Sequence, residues 1–112
     1  MPMGFVKYHN RKVTINGETF DSKKEAARWQ ELLLLQRAGK ISHLNRQVTY
    51  ELIPSQFIDG KCAERSVKYV ADFVYKEKGN LVVEDTKGMK TPEYIIKRKL
   101  MLSVYGIRIK EV

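Results

Sequence analysis

The rhythm of hydrophobic and polar positions changes several times along the chain, and each change marks an element. Lys12 to Ile15 and Glu18 to Phe20 alternate with the period of a strand around Asn16-Gly17. Asn-Gly supplies the positive φ angles of a tight primed turn, so a short N-terminal β-hairpin is predicted. From Ser22 the spacing lengthens to that of a helix. Ser22 with Glu25 three residues later forms a capping-box pattern, Ala26 to Ala38 is rich in helix formers, and Gly39 is placed to end the helix. Arg46 to Ile53 returns to strand character and stops at Pro54, and Ser55 to Arg65 reads as a polar connection. Val67 to Lys76 and Leu81 to Lys87 alternate on either side of Glu77-Lys78-Gly79-Asn80, giving a second hairpin that Gly88 closes. Thr91-Pro92-Glu93 then supplies a helix cap, a first-turn proline and an acid suited to the helix dipole. Glu93 to Tyr105 is therefore predicted helical, Gly106 ends it, and Ile107 to Val112 alternates as a last strand. Hairpin, helix, three strands, helix, strand is an α/β (mixed α+β) order, a mixed central β-sheet flanked by helices.

Composition narrows the picture. At 112 residues the chain is expected to form one domain over 1–112, with 1–10 as a loose basic arm. Its 43% hydrophobic content offsets chain entropy and excludes intrinsic disorder. The single cysteine, Cys62, excludes a disulfide framework or a multi-thiolate zinc site and fits a reducing compartment. The longest apolar run is Leu32 to Leu35, too short to span a bilayer, and Met1 to Lys12 lacks the apolar centre of a signal peptide. A soluble, cytoplasmic protein that avoids membranes is expected. Lys and Arg number 21 against 13 Asp and Glu, a net charge of +8 with a pI near 9.6. Such a surface attracts polyanions, with nucleic acid the leading partner.

The second hairpin carries the chemistry. By strand period, Tyr69, Ala71, Phe73 and Tyr75 should share one face and Val70, Asp72 and Val74 the other, while Asp85 and Lys87 share a face of the following strand. A two- or four-residue turn around Lys78-Gly79 sets Asp72 opposite Asp85, with β-carbons about 5 Å apart, whereas a three-residue loop would shift the register. Two like charges at that separation cost about 1–3 kcal/mol. A divalent cation would relieve the cost, because two carboxylates with water and a phosphate oxygen make the hard donor set that Mg2+ accepts. Lys87, pointing the same way, could lower a water's pKa or steady the phosphate. The alternative keeps Asp72 and Asp85 as solvated acids paired with lysines on an open face. Glu25 is a third carboxylate, since Trp29, Leu32 and Gln36 follow it at helical spacing on a partly apolar stripe. It also suits the capping box, and the two roles can coexist.

Asp72, then twelve residues, then Asp85-Thr86-Lys87 ahead of a helix, with Glu25 on an earlier helix, resembles the PD-(D/E)XK nuclease superfamily. More closely, the segments Lys7-Tyr8-His9-Asn10, Phe20 to Ala26, Ala71 to Tyr75 and Val82 to Gly88, with Tyr94 and Lys97, resemble a small phage and prophage family. That family, once catalogued as a domain of unknown function, is grouped with these nucleases and is similar to Holliday-junction resolvases. The resemblance implies a restriction-endonuclease-like core, Asp72 and Asp85 as metal ligands, Lys87 as the catalytic lysine, and Glu25 as an acid binding metal directly or through water. The sequence departs from the motif in two places. Ala71 stands where the motif has proline, and Asp85 stands where Glu is more frequent. Glu84 lies beside Asp85, and a bulge would swing it inward as the second ligand instead.

Around this centre Lys87, Lys90, Lys97, Arg98, Lys99, Arg108 and Lys110 face only Glu93 between positions 87 and 110. Lys12, Lys90, Tyr94, Lys97 and Arg98 are the candidate DNA contacts, with Tyr94 and Lys97 one turn apart where they could touch the cut strand, or else lie on a solvated helix face. His9 and His43 lack partners at metal-ligand spacing and read as surface or capping residues. Trp29 reads as core. The expected function is a Mg2+-dependent endodeoxyribonuclease, with Mn2+ as substitute, acting on branched or duplex DNA during phage replication and recombination. Cutting two strands would need a homodimer, and phage replication proteins are candidate partners. A non-catalytic DNA-binding or replisome accessory protein that keeps the nuclease fold is the alternative, and a protein-only interaction module leaves the charge unexplained.

Overall fold

The computed structural model describes residues 12–86 and 89–112. The expected basic arm, His9, Lys87 and Gly88 lie outside the described residues. The chain opens with β1 (Val13–Ile15) and β2 (Glu18–Phe20), paired antiparallel around Asn16-Gly17, and continues into α1 (Lys23–Arg37). A long strand β3 (Ser42–Ile53) follows, then β4 (Gln56–Ile58), β5 (Lys61–Glu64), β6 (Val67–Glu77), β7 (Asn80–Asp85), α2 (Pro92–Tyr105) and β8 (Lys110–Glu111). The central sheet has the order β3-β6-β7-β8, with β8 parallel to β7 and the other pairs antiparallel. This is the predicted mixed sheet with helices and an N-terminal hairpin.

The local signals act as predicted at the helix ends. Ser22 Oγ accepts from the Glu25 amide at 3.1 Å, and Thr91 Oγ1 accepts from the Tyr94 amide at 3.1 Å. Gly106, at φ +70°, closes α2 in the left-handed conformation. One helix lies against each side of the sheet. Tyr94 and Met101 of α2 pack with Leu52, Tyr69, Ala71, Val74, Val83 and Ile109. Leu32 of α1 packs with Ile41, Phe73 and Tyr75, and Trp29 stacks on Phe73 at 5.8 Å between ring centroids, a core role as expected.

Several boundaries differ from the sequence expectation. Residues 55–65 are not an irregular connection. They hold the β4–β5 hairpin, closed by Asp59-Gly60 with positive φ at both residues, in a two-stranded sheet separate from the central one. β3 starts at Ser42 instead of Arg46, with a register irregularity between Ser42 and Asn45 where His43 has φ +56°. The last strand is only Lys110–Glu111. The strict face alternation expected of β6 also fails. Tyr69 and Ala71 belong to the α2 side and Phe73 and Tyr75 to the α1 side, so the strand changes face at Asp72. On the partner strand, between the pairs Arg46↔Phe73 and Val48↔Ala71, Gln47 sits at φ +53°. A left-handed residue within an extended strand rotates the pleat, which accounts for the switch. Among the described residues no helix is long and apolar enough to cross a membrane.

Candidate metal centre

The register of the second hairpin follows from its turn. Glu77↔Asn80 closes around Lys78-Gly79, and the ladder runs through Tyr75↔Val82 to Phe73↔Glu84. The next position on each strand is Asp72 and Asp85, as the two-residue turn requires. β7 passes at that point to pairing with β8, where Asp85 lies beside Glu111.

The two aspartates are held differently. Asp72 is half-buried, and its Oδ2 accepts from both the backbone amide and the hydroxyl of Thr86, each at 2.8 Å. Asp85 is 1% exposed, and its Oδ2 accepts from the Tyr69 hydroxyl at 2.6 Å. Burial, and then that bond to Asp85, push the Tyr69 phenol well above its ordinary range, so it stays protonated as a donor. The middle residue of Asp85-Thr86-Lys87 thus clamps Asp72.

Glu25 reaches the same region from the first turn of α1. It is 2% exposed, and its pKa is raised first by burial and next by the charge of Asp72. Its backbone amide completes the Ser22 cap, while its side chain turns inward. The carboxylate closes the capping region on the Asp21 amide at 3.4 Å, one residue earlier than a capping box would. Its other oxygen accepts from Gln47 Nε2 at 3.2 Å, with Arg46 NH2 at 3.8 Å. Among the described residues no group of three or more His, Cys, Asp and Glu side chains is close enough to hold a metal ion unaided.

Glu84 is the acid that does not join them. It is fully buried on the α1 side, where Arg28 grips it through Nε at 2.9 Å and NH2 at 2.7 Å and the Tyr75 hydroxyl donates to it. Burial alone would raise its pKa, but the Arg28 fork and Tyr75 together hold it below the ordinary value. Its charge is thus already paired with an arginine, on the side of the sheet away from the Asp85–Tyr69 contact. The sequence reading did not pair Arg28 with Glu84, which lie 56 positions apart.

The candidate DNA contacts are largely tied to protein acids. Tyr94 is buried and donates to Glu111 Oε2 at 2.7 Å, so it does not lie on a solvated helix face. Lys90 and Arg98 reach the same glutamate at 3.0 and 3.1 Å. Bonds from Tyr94 and then Lys90 hold the Glu111 carboxyl down at about 2. Lys97 pairs with Glu93 at 3.5 Å and Lys12 with Asp21 at 3.5 Å. Glu111 is thus an organising anion that sequence reasoning missed, although its alternation in the last strand was visible. His43 meets Ser42 on the surface at 3.1 Å, and Cys62 is exposed in β5.

Chemically the donor set suits a hard cation. Asp72 receives both of its hydrogen bonds from described residues on Oδ2, so Oδ1 carries none from them, and Glu25 and Asp72 repel one another where positive charge would stabilise both. No curated protein and no solved structure matches the chain. A family model described as "Protein of unknown function (DUF1064)" matches residues 5–110. That match spans nearly the whole length, and the chain belongs to the DUF1064 family.

Proposed function

We propose that the chain is a metal-dependent endodeoxyribonuclease of PD-(D/E)XK type that hydrolyses DNA phosphodiester bonds, with Mg2+ as its cation and Mn2+ as substitute. The observation that carries this reading is that buried Glu25 lies near enough to half-buried Asp72 to feel its charge, with buried Asp85 on the neighbouring strand, in a chain whose net charge is +8. Clustered carboxylates under a basic surface have no value for holding a polyanion, but they suit one that arrives with a divalent cation.

Asp72 and Asp85 would hold the ion and Glu25 would contribute through water. Bound there, a divalent cation supplies Lewis acidity, polarising a phosphoryl oxygen and lowering the pKa of a water. The chain's own residues do the rest. Thr86 fixes Asp72 with two hydrogen bonds to one oxygen, and Tyr69 fixes Asp85 from the α2 side. Lys87, two positions after Asp85, is assigned the developing charge on the phosphate by the motif it completes. Branched or flap DNA of phage replication and recombination is the proposed substrate, the class that the resemblance to Holliday-junction resolvases implies. A homodimer would pair two such centres for junction resolution in the host cytoplasm.

The test is incubation with plasmid, four-way junction and flap substrates in Mg2+, Mn2+ or chelator. Metal-dependent cleavage that Asp85→Ala abolishes is expected. Cleavage that survives chelation, or survives Asp85→Ala, would overturn the reading. Tight binding without cutting under any metal would assign the chain to the non-catalytic DNA-binding class.

A further inference from the structure

We infer that Gln47 is a positioning residue that fixes the Glu25 carboxylate beside the acidic centre and keeps its contact with Arg46 at the outer edge of ion-pair distance, 3.8 Å. The inference rests on the metal-site reading above and concerns a residue with no part in the motif. Five non-glycine residues among those described have positive φ. Asn16, Asp59 and Lys78 are first residues of two-residue hairpin turns, and His43 sits at the irregular start of β3. Gln47 alone of the five lies inside a strand whose ladder keeps one register on both sides of it. A left-handed conformation is unfavourable for a residue with a β-carbon, and such outliers persist where their surroundings over-determine them, often at functional sites.

The position of this one is specific. Gln47 lies across from Asp72, at the point where β6 changes face. Its side chain donates from Nε2 to Glu25 Oε2 at 3.2 Å. The same oxygen is 3.8 Å from Arg46 NH2, and Arg46 is itself anchored by Glu18 at 3.2 Å, by the Thr19 carbonyl at 3.1 Å and by the Phe20 ring at 4.0 Å. A cavity of about 190 Å³, lined by Thr19, Asp21, Glu25, Arg46 and Gln47, leaves room for the carboxylate to close onto the guanidinium. That closure would neutralise Glu25, as Arg28 neutralises Glu84. A neutral amide on the oxygen orients the carboxylate and leaves its charge for a cation.

Two variants separate the side chain from the backbone. Gln47→Gly and Gln47→Asn both tolerate positive φ, and neither side chain reaches Glu25. Mn2+ binding by isothermal titration calorimetry, with no DNA present, is expected to weaken at least tenfold in both, the size typical for a group that orients a metal ligand. Their melting temperatures should equal or exceed the parent's. Mn2+ affinity within twofold of the parent in Gln47→Gly, while Glu25→Gln loses affinity, would overturn this inference and leave the nuclease reading standing. Failure of both variants to fold would overturn it too, assigning the amide to the fold. No Mn2+ binding by the parent, or binding unaffected by Asp72→Asn, would overturn both readings.

Discussion

Glu84 and Asp85 are neighbours, both fully buried, and turned to opposite sides of the sheet, and their partners separate their roles. Glu84 meets a bidentate arginine, and breaking such a buried pair from one side leaves an uncompensated charge. Arg28→Ala is therefore expected to lower unfolding free energy by about 3–5 kcal/mol in urea titrations. A loss below about 1 kcal/mol would show that the pair does not hold a buried charge. Glu111 makes a pH prediction. Its folded pKa, about 2, lies below the ordinary 4.5, so the stabilisation it gives is complete above about pH 4.5 and disappears as pH falls to 2. Urea midpoints for the parent and Glu111→Gln should differ at pH 6 and converge near pH 2, whereas a constant gap would place the effect elsewhere. The candidate acids themselves, Glu25, Asp72 and Asp85, were legible from spacing and motif. The choice between Glu84 and Asp85 was not, because it depends on Arg28, which only the folded chain brings near. Gln47 left no trace in the sequence, since nothing local distinguishes a left-handed glutamine from an extended one.

At the level of elements, one device recurs three times. Asn16-Gly17, Asp59-Gly60 and Lys78-Gly79 each close a hairpin with positive φ at both residues. The third matters most, because its two-residue length brings Asp72 and Asp85 to the facing positions just beyond the Phe73↔Glu84 pair. At Gly79 (φ +81°) an added β-carbon meets no atom within 4 Å, so the cost of a side chain there is conformational alone. Gly79→Val is expected to destabilise by about 1–2 kcal/mol in thermal melts with the register kept. A loss well beyond that would mean the hairpin had lost its register. The first and third turns were read from the sequence by flanks that alternate. Asp59-Gly60 carried the same signal but was missed, because its flanks are exposed throughout and show no buried face.

Across the whole molecule, that overlooked hairpin stands apart from both hydrophobic clusters, with Phe57 and Ile58 64% and 66% exposed. Replacing Gln56–Glu64 by an Asn-Gly turn should therefore change stability by less than about 1 kcal/mol in chemical denaturation, and a loss above about 3 kcal/mol would place it in the core. The layered fold could be read in advance because each helix carries its own cap and each long strand its own period. The relation of layers to chemistry could not, because β6 presents different faces on either side of Asp72. What unites the molecule is an acidic centre under a basic surface, with two of the expected DNA-facing cations, Lys90 and Arg98, already bound to Glu111. The most direct test of that centre is single-turnover cleavage of a labelled four-way junction in Mg2+ by the parent and by Asp72→Asn. Cleavage by the parent and a fall of about 10³-fold or more in the variant are expected, since a metal ligand supplies several kcal/mol at about 1.4 kcal/mol per tenfold. A variant that cuts within tenfold of the parent would contradict it.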